Sequence, residues 1–437
     1  MSERVVVIVS PYFPPSTLAG VHRARHLAKH LPVAGWDPVV VCVDERHHEE
    51  QLDPTLAALV PLNTKIIKAS ALATGLTRPL GFGDIGIRGF LQIRHSVLRL
   101  VAQRRIDAVL ITGAPFYPML MAKTLRRAGV PVVLDFQDPW VSPWGETQPA
   151  FSKAGLSHGV ARTLEPRVLH QASFITSVSE TQNAALAARY PWLDRARMAA
   201  IPIGGDPDDF ERLRQSDTGT AGAFLDPRRI NLSYVGTFMP RTTEPMRILF
   251  RSLRFLQNEM PGLAQRLRLN FIGTSNRPND TGTYRVMPLA AQEGVADLVC
   301  EVPQRVPYLE ALAILVNSNG LLIIGSDEPH YTASKIYPAL MSAAPYLSLF
   351  HSKSSAHQIL SSAGGGCAFA FANADELAGL VPALARGLER LAFDPGSLGR
   401  VDARAYAPYE AGAVAFRFAE VFESAARSMY TAGGPKA

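Results

Sequence analysis

Cysteine is scarce in this chain. Cys42, Cys300 and Cys367 lie far apart among 437 residues and show no metal-ligand spacing. An odd, sparse set argues against a disulfide framework and fits a reducing compartment. Long apolar runs are missing too, and none approaches the ~20 residues needed to span a bilayer. The N-terminus passes from Met1-Ser2-Glu3-Arg4 straight into Val5-Val6-Val7-Ile8-Val9. That reads as a first strand, not a secretory signal, because the run is short and no small-residue cleavage site follows. A cytoplasmic location is expected. Charged residues make up 19% of the chain against 47% hydrophobic ones, a balance that excludes a disordered protein. There is no compact Lys/Arg tract, short repeat or low-complexity segment, so a nucleic-acid partner is not expected.

The charge that is present leans positive, with a net value of +6. It gathers at Arg78, Arg88, Arg94, Arg99, Arg104, Arg105, Lys123, Arg126 and Arg127, with Asp84 and Asp107 opposing. Two readings fit this stretch: a solvated helix face, or a surface that docks on an anionic membrane. The second would hold the protein peripherally at the inner face of the membrane.

At 437 residues the chain is too long for one small core. Its first half alternates β-branched apolar runs, at 4–9, 38–43, 106–112, 131–136 and 174–178, with helical segments. In the first of these segments Ala24, Leu27, Ala28 and Leu31 recur at helical spacing. Residues 211–229 are polar and rich in Gly, Thr and Asp, and read as a linker. A second alternating set follows. Its strands are expected at 231–235, 268–272, 298–302, 321–324, 346–349 and 367–371. Its helices are expected at 244–258, 308–316 and 334–342, and an amphipathic terminal helix at 411–428. Such alternation implies two α/β domains with mostly parallel, doubly wound sheets. The expected division is 1–210, the linker 211–229, 230–404, and a C-terminal helix in 405–437 that packs back toward the N-terminal domain. In doubly wound sheets a ligand site forms at the carboxyl ends of the strands, here at a cleft between the halves.

Candidate site residues cluster at those ends. The run Gly320-Leu321-Leu322-Ile323-Ile324-Gly325 leads into Asp327-Glu328-Pro329-His330-Tyr331-Thr332-Ala333-Ser334-Lys335-Ile336-Tyr337-Pro338. A helix start there would offer free amides to an anion, with Lys335 adding charge in the first turn, where it opposes the helix dipole. Lys335 is then either an anion ligand or an ordinary surface lysine. Tyr234-Val235-Gly236-Thr237-Phe238-Met239-Pro240-Arg241 places a glycine at a strand end, where backbone can approach a ligand. Arg241 suits a diphosphate through charge-assisted hydrogen bonds, or is a plain surface arginine. In the first half, Gly20 precedes a helix whose His22, Arg23, Arg25, His26, Lys29 and His30 give it a basic face. Asp135-Phe136-Gln137-Asp138-Pro139-Trp140 ends a strand. Asp138 is a candidate base or sugar-hydroxyl ligand, or simply a cap on the following turn.

Taken together, these pieces resemble the GT-B glycosyltransferases of the family-4-like superfamily, which use nucleotide-diphosphate sugars. The likeness rests on Tyr12-Phe13-Pro14-Pro15 with Gly20 and Arg23, on Gly35-Trp36, and on the 135–140 block. It rests also on Ser177-Val178-Ser179-Glu180, Ile203-Gly204-Gly205-Asp206, and Ser334-Lys335-Ile336-Tyr337 through Pro345. The resemblance implies two Rossmann-like domains facing a cleft, with the acceptor on the N-terminal one and the donor on the C-terminal one. It implies a retaining sugar transfer with no required metal or other cofactor, the nucleotide sugar (UDP or GDP) being a co-substrate. It implies a polysaccharide, lipid-linked or small natural-product acceptor. Gly236, Thr237, Arg241, Ser334 and Lys335 would hold the donor diphosphate, Gly20 and Arg23 would form an acceptor or phosphate loop, and Asp138, Gln137 and His330 would face the reacting sugar. Two glutamates common in the family are replaced here by His330 and Pro338, the usual helix-end glycine by Ala343, and a His or Arg by Gln137. Two alternatives stand beside transfer: a catalytically silent binding or assembly subunit, and a sugar-nucleotide epimerase.

Overall fold

The computed structural model describes residues 4–216, 223–275, 277, 280–329, 331 and 333–432, with the side chains of 80 and 429–432 outside that description. The chain divides into two compact units, Met1–Ile203 with Ala411–Ala437, and Gly204–Glu410.

The first unit is built on β1 (Arg4–Val9), β2 (Trp36–Val43), β3 (Lys65–Ala69), β4 (Ala108–Gly113), β5 (Val132–Phe136), β6 (Phe174–Ser177) and β7 (Met198–Ala200). These form one sheet in the order β3-β2-β1-β4-β5-β6-β7, with every pairing parallel. Successive side chains on a strand point to opposite faces, and β1 shows the consequence. Val7 and Val9 join the core cluster that contains Ile93 and Val97 of the helix Phe90–Gln103. Val6 and Ile8 join the other, with Leu27 of the helix Val21–His30 and with Val414, Phe418 and Phe422 of the helix Ala411–Ala432. Covering both faces is what makes a parallel sheet of near-continuous apolar strands stable. Two strands, β3 and β7, were absent from the sequence reading. Both lie at sheet edges, where a continuous apolar run is not required.

The second unit holds β8 (Ile230–Val235), β9 (Leu267–Ile272), β10 (Val299–Val302), β11 (Gly320–Ile324), β12 (Tyr346–His351) and β13 (Gly366–Phe371), all parallel, in the order β10-β9-β8-β11-β12-β13. The segment read as a linker from 211 in fact begins inside a helix, Pro207–Gln215, capped by the Asp206 side chain. Its charges form an amphipathic pattern around buried Phe210 and Leu213. In each sheet the strand order reverses at one point, between β1 and β4 and between β8 and β11. Ligands of doubly wound sheets bind beside such points, at the carboxyl ends of the strands.

Candidate functional site

In the second unit the reversal point is occupied by the loop after β8. Gly236 has φ 136°, a conformation that side chains rarely tolerate, and its N–H donates to the Ile272 carbonyl at 2.8 Å. A Cβ there would meet the Lys335 stem at 3.5 Å. The Lys335 ammonium lies 3.7 Å from the centre of the Tyr234 ring, a cation–π contact. Tyr234 is buried and its hydroxyl donates to the Thr237 carbonyl at 2.9 Å. The Thr237 hydroxyl in turn accepts from Arg305 at 3.1 Å. Gly236, Thr237 and Lys335 are thus brought together as the sequence suggested. Two residues the sequence reading passed over, Tyr234 and Arg305, complete the group. Arg305 follows β10 in a Pro303-Gln304-Arg305-Val306-Pro307 loop. A basic residue at a strand's carboxyl end was the available signal.

The charge state of Lys335 is unusual. Burial lowers its pKa from 10.5 to about 7, because desolvation disfavours the ammonium. Among the described residues no carboxylate lies within ion-pair distance of it, and its ammonium rests on the aromatic face of Tyr234. A cation held this way is set to gain from an incoming anion.

Its place in the chain differs from expectation. The helix runs only Ile336–Met341, six residues, and Lys335 sits at its N-cap with φ −64° and no side-chain capping bond. Ser334 lies in the preceding turn, its carbonyl accepting from the Tyr337 N–H at 3.3 Å. A helix this short has little dipole, so the site's positive potential comes from the side chains. Pro338 falls within its first turn, where a missing N–H is tolerated. Ala343 has φ 57°, the one non-glycine in the left-handed region among the described residues.

Arg241 requires a correction. Its guanidinium is engaged by Asp327 at 2.9 Å and Glu328 at 2.8 Å, so it is not an open diphosphate ligand in this state. The same contacts occupy the two carboxylates nearest in sequence to the missing glutamates. His330 lies outside the described residues.

In the first unit, Gly20 is the N-cap of the helix Val21–His30. A Cβ on it would lie 3.5 Å from Gln137 Oε1 and 3.8 Å from the Ala114 carbonyl oxygen. The Gln137 N–H donates to the Gly113 carbonyl at 2.8 Å. Its side chain is only 8% exposed, yet neither amide atom has a hydrogen-bond partner among the described residues. Buried amides are nearly always paired, and a ligand hydroxyl beside Gly20 would resolve the exception. Asp138, next in the chain, is exposed.

Arg23 is not a ligand residue. It is fully buried, pairs with Asp135 at 3.1 Å, and donates to the Ile201 and Pro202 carbonyls at 2.6 and 2.5 Å. Its guanidinium stacks over Phe418, 4.8 Å from the ring centre. Thr176 donates to the other Asp135 oxygen at 2.8 Å. The pair joins β5, β6, the first helix and the last helix of the unit. The supposed basic face is largely inside the protein as well. Arg25 and His26 are buried, 2.9 Å apart at Nη2 and Nε2, and burial pulls His22 down to about 3. The basic cluster from Arg78 onward is also less open than its composition suggests. Arg88 is buried and donates to the Leu72 and His47 carbonyls. Arg78, Arg104 and Arg105 pair with Glu49, Asp37 and Asp107.

Residues 19–204 match the glycosyl transferase 4-like domain family. Among proteins of curated function, none matches this sequence. Solved structures align over nearly the whole chain. Anabaena HepE, in complex with UDP and glucose, is 13% identical with TM-score 0.60, covering 96% of this chain and 100% of its own. A glycosyltransferase from Rickettsia africae is 13% identical with TM-score 0.61, covering 97% and 99%. The alpha,alpha-trehalose 6-phosphate synthase of Burkholderia multivorans is 14% identical with TM-score 0.62, covering 100% and 99%. Residues 19–204 are thus similar to the glycosyl transferase 4-like domain family, and the two doubly wound units carry the GT-B fold.

Proposed function

We propose that the protein transfers a glycosyl group from a nucleoside-diphosphate sugar, bound by the second unit, to an acceptor bound by the first. The observation that carries this reading is Lys335, a cation with no carboxylate partner among the described residues, held against Tyr234 beside the open backbone of Gly236. Lys335 and Arg305 would flank the diphosphate, and Gly236 and Thr237 would let it approach the main chain. Negative charge grows on the leaving diphosphate as the glycosidic bond breaks, so cations aimed there lower the barrier more than they strengthen ground-state binding. In this reading Arg241 does not bind phosphate. It orders Asp327 and Glu328.

The Gln137 amide would hold a hydroxyl of the transferred sugar or the acceptor, with Asp138 at the loop's exposed edge. Retention of configuration follows from the family resemblance. UDP-glucose is the first donor to try, since HepE was crystallised with it. A silent binding subunit is the second reading, favoured by Pro338 and by the engagement of Asp327 and Glu328 with Arg241. An epimerase would need free acid and base carboxylates, and those two are not free.

The test is a thermal-shift screen against UDP-, GDP-, dTDP- and ADP-sugars. A ligand at 100 times its Kd adds about 2.7 kcal/mol to the folded state. One nucleotide class is expected to raise Tm in the wild type and not in Lys335→Ala. No shift with any donor would reject the reading. A shift without turnover across acceptors would favour the silent subunit.

A further inference from the structure

The segment after the Gln137 loop carries an exposed apolar surface. Trp144 is 51% exposed, Phe151 95%, Leu156 58% and Val160 44%. Trp144 lies on the short helix Pro143–Glu146, Phe151 in the turn that follows, and Leu156 and Val160 on the helix Lys153–Leu169. The two helices pack together, since a Cβ on Gly145 would strike the His158 ring at 2.3 Å. The long helix buries Ala161, Glu165, Val168 and Leu169. At helical spacing its opposite face reads Lys153, Leu156, Val160, Thr163, Arg167. A solvent-facing stripe of a surface helix is ordinarily polar, so Leu156 and Val160 stand out.

The charges around this surface are mostly of one sign. Lys153, Arg162 and Arg167 are exposed and have no ion-pair partner among the described residues, and Glu146 is the one exposed acid between residues 143 and 167. Glu165 is buried against Arg189 at 3.1 Å. A protruding phenylalanine, a half-exposed tryptophan and a rim of unpaired cations suit the interface of an anionic bilayer, where aromatic rings sit at headgroup depth and cations meet lipid phosphates. By contrast, the stretch whose composition pointed to a membrane has its Arg78, Arg88, Arg104 and Arg105 bonded within the protein.

We infer that residues 143–167 form the surface by which this protein docks on an anionic membrane, with Phe151 as the inserting tip. Trp140, which links the Gln137 loop to this segment, stacks on Phe116 with centroids 5.2 Å apart and planes at 10°. The docking segment thus begins six residues after Gln137 in the chain. Resting on the transferase reading, this specifies a lipid-linked acceptor reached from the bilayer surface.

Vesicle flotation tests it, using phosphatidylcholine alone and phosphatidylcholine with phosphatidylglycerol, at low and high salt. The full chain is expected to float with the anionic vesicles at low salt, less at high salt, and poorly with the neutral ones. Phe151→Ser with Leu156→Ser should cut flotation about tenfold or more, given the apolar area withdrawn from the bilayer. Arg94→Gln with Arg99→Gln, on the helix Phe90–Gln103, should leave it unchanged. All four sites lie outside the core, so Tm and the nucleotide-induced shift should persist. That shift separates failure of docking from failure of the donor reading. The inference is overturned by no flotation at low salt, by flotation that survives the Phe151/Leu156 change, or by sedimentation showing that this change instead abolishes self-association.

Discussion

Lys335 supplies a prediction that joins the site's geometry to a proton count. With a pKa of about 7, the ammonium is only ~9% populated at pH 8, by the ordinary titration relation. A diphosphate drawn beside it stabilises the charged form. Raising the pKa by two or more units needs about 3 kcal/mol, at 1.36 kcal/mol per unit, and hydrogen bonds to charged groups are worth about 1.5–3 kcal/mol each. Binding of UDP-glucose at pH 8 should therefore take up ~0.8–0.9 proton, falling to ~0.1 at pH 6, where the lysine is already charged. Each phosphorus of the sugar diphosphate carries one ester and one anhydride bond and is singly ionised well below pH 6, so the diphosphate contributes no titration of its own in this range. Isothermal titration calorimetry in buffers of different ionisation enthalpy reads the proton number as a slope. Lys335→Met should abolish the uptake and weaken binding about 10- to 100-fold, the loss of roughly 1.4–2.8 kcal/mol.

The same group sets a sign for the free protein. The unfolded lysine binds its proton up to about pH 10.5 while the folded one has released it above about 7, so the unfolded state holds more protons between these values. Stability from this site then rises with pH across that window, by at most about 1.4 kcal/mol per pH unit. Lys335→Met should be the more stable protein at pH 7, with the gap closing as pH rises. A buffer-independent binding enthalpy at pH 8, in a protein that does bind the donor, would refute the reasoning.

Three further outcomes follow from particular contacts. Asp135→Asn or Arg23→Met should destabilise the first unit by about 3–5 kcal/mol, because each leaves a buried charge without its partner, and the double variant should cost less than the sum of the two in urea titrations. Gln137→Leu should leave Tm unchanged or raise it, since no side-chain hydrogen bond to the described residues is lost, while acceptor-dependent turnover falls at least tenfold. Stability falling with the Leu variant would show that the amide is paired in solution. Ala343→Gly should stabilise by about 1 kcal/mol, by relieving the left-handed backbone at φ 57°, as read by thermal unfolding.

Buried strands such as Leu321–Ile324 and Val132–Phe136 were legible because a parallel sheet covered on both faces demands continuous apolar runs. The edges were not: Lys65-Ile66-Ile67-Lys68-Ala69 is five mostly exposed residues with two lysines, and β7 has only three. In the candidate site, glycine at a strand end made Gly236 visible, and a lysine ahead of a helix made Lys335 visible. What could not be read was how cations would be spent. Arg23 and Lys335 look alike in sequence, each a basic residue close to a helix start. One is neutralised by Asp135, a strand residue 112 positions away, and the other meets a tyrosine ring. Arg241 looked open because its acids lie 86 and 87 residues further on. Charge pairing over such separations is a property of the topology, and local pattern carries no trace of it.

The central claim is that a nucleoside-diphosphate sugar binds at the carboxyl ends of β8, β10 and β11. Hydrogen exchange with and without UDP-glucose, resolved by mass spectrometry, addresses it most directly. The account expects the strongest protection in peptides covering residues 235–242, 303–308 and 333–341, lost in Lys335→Ala. Binding with protection confined to other parts of the chain, or equal protection in the variant, would contradict it.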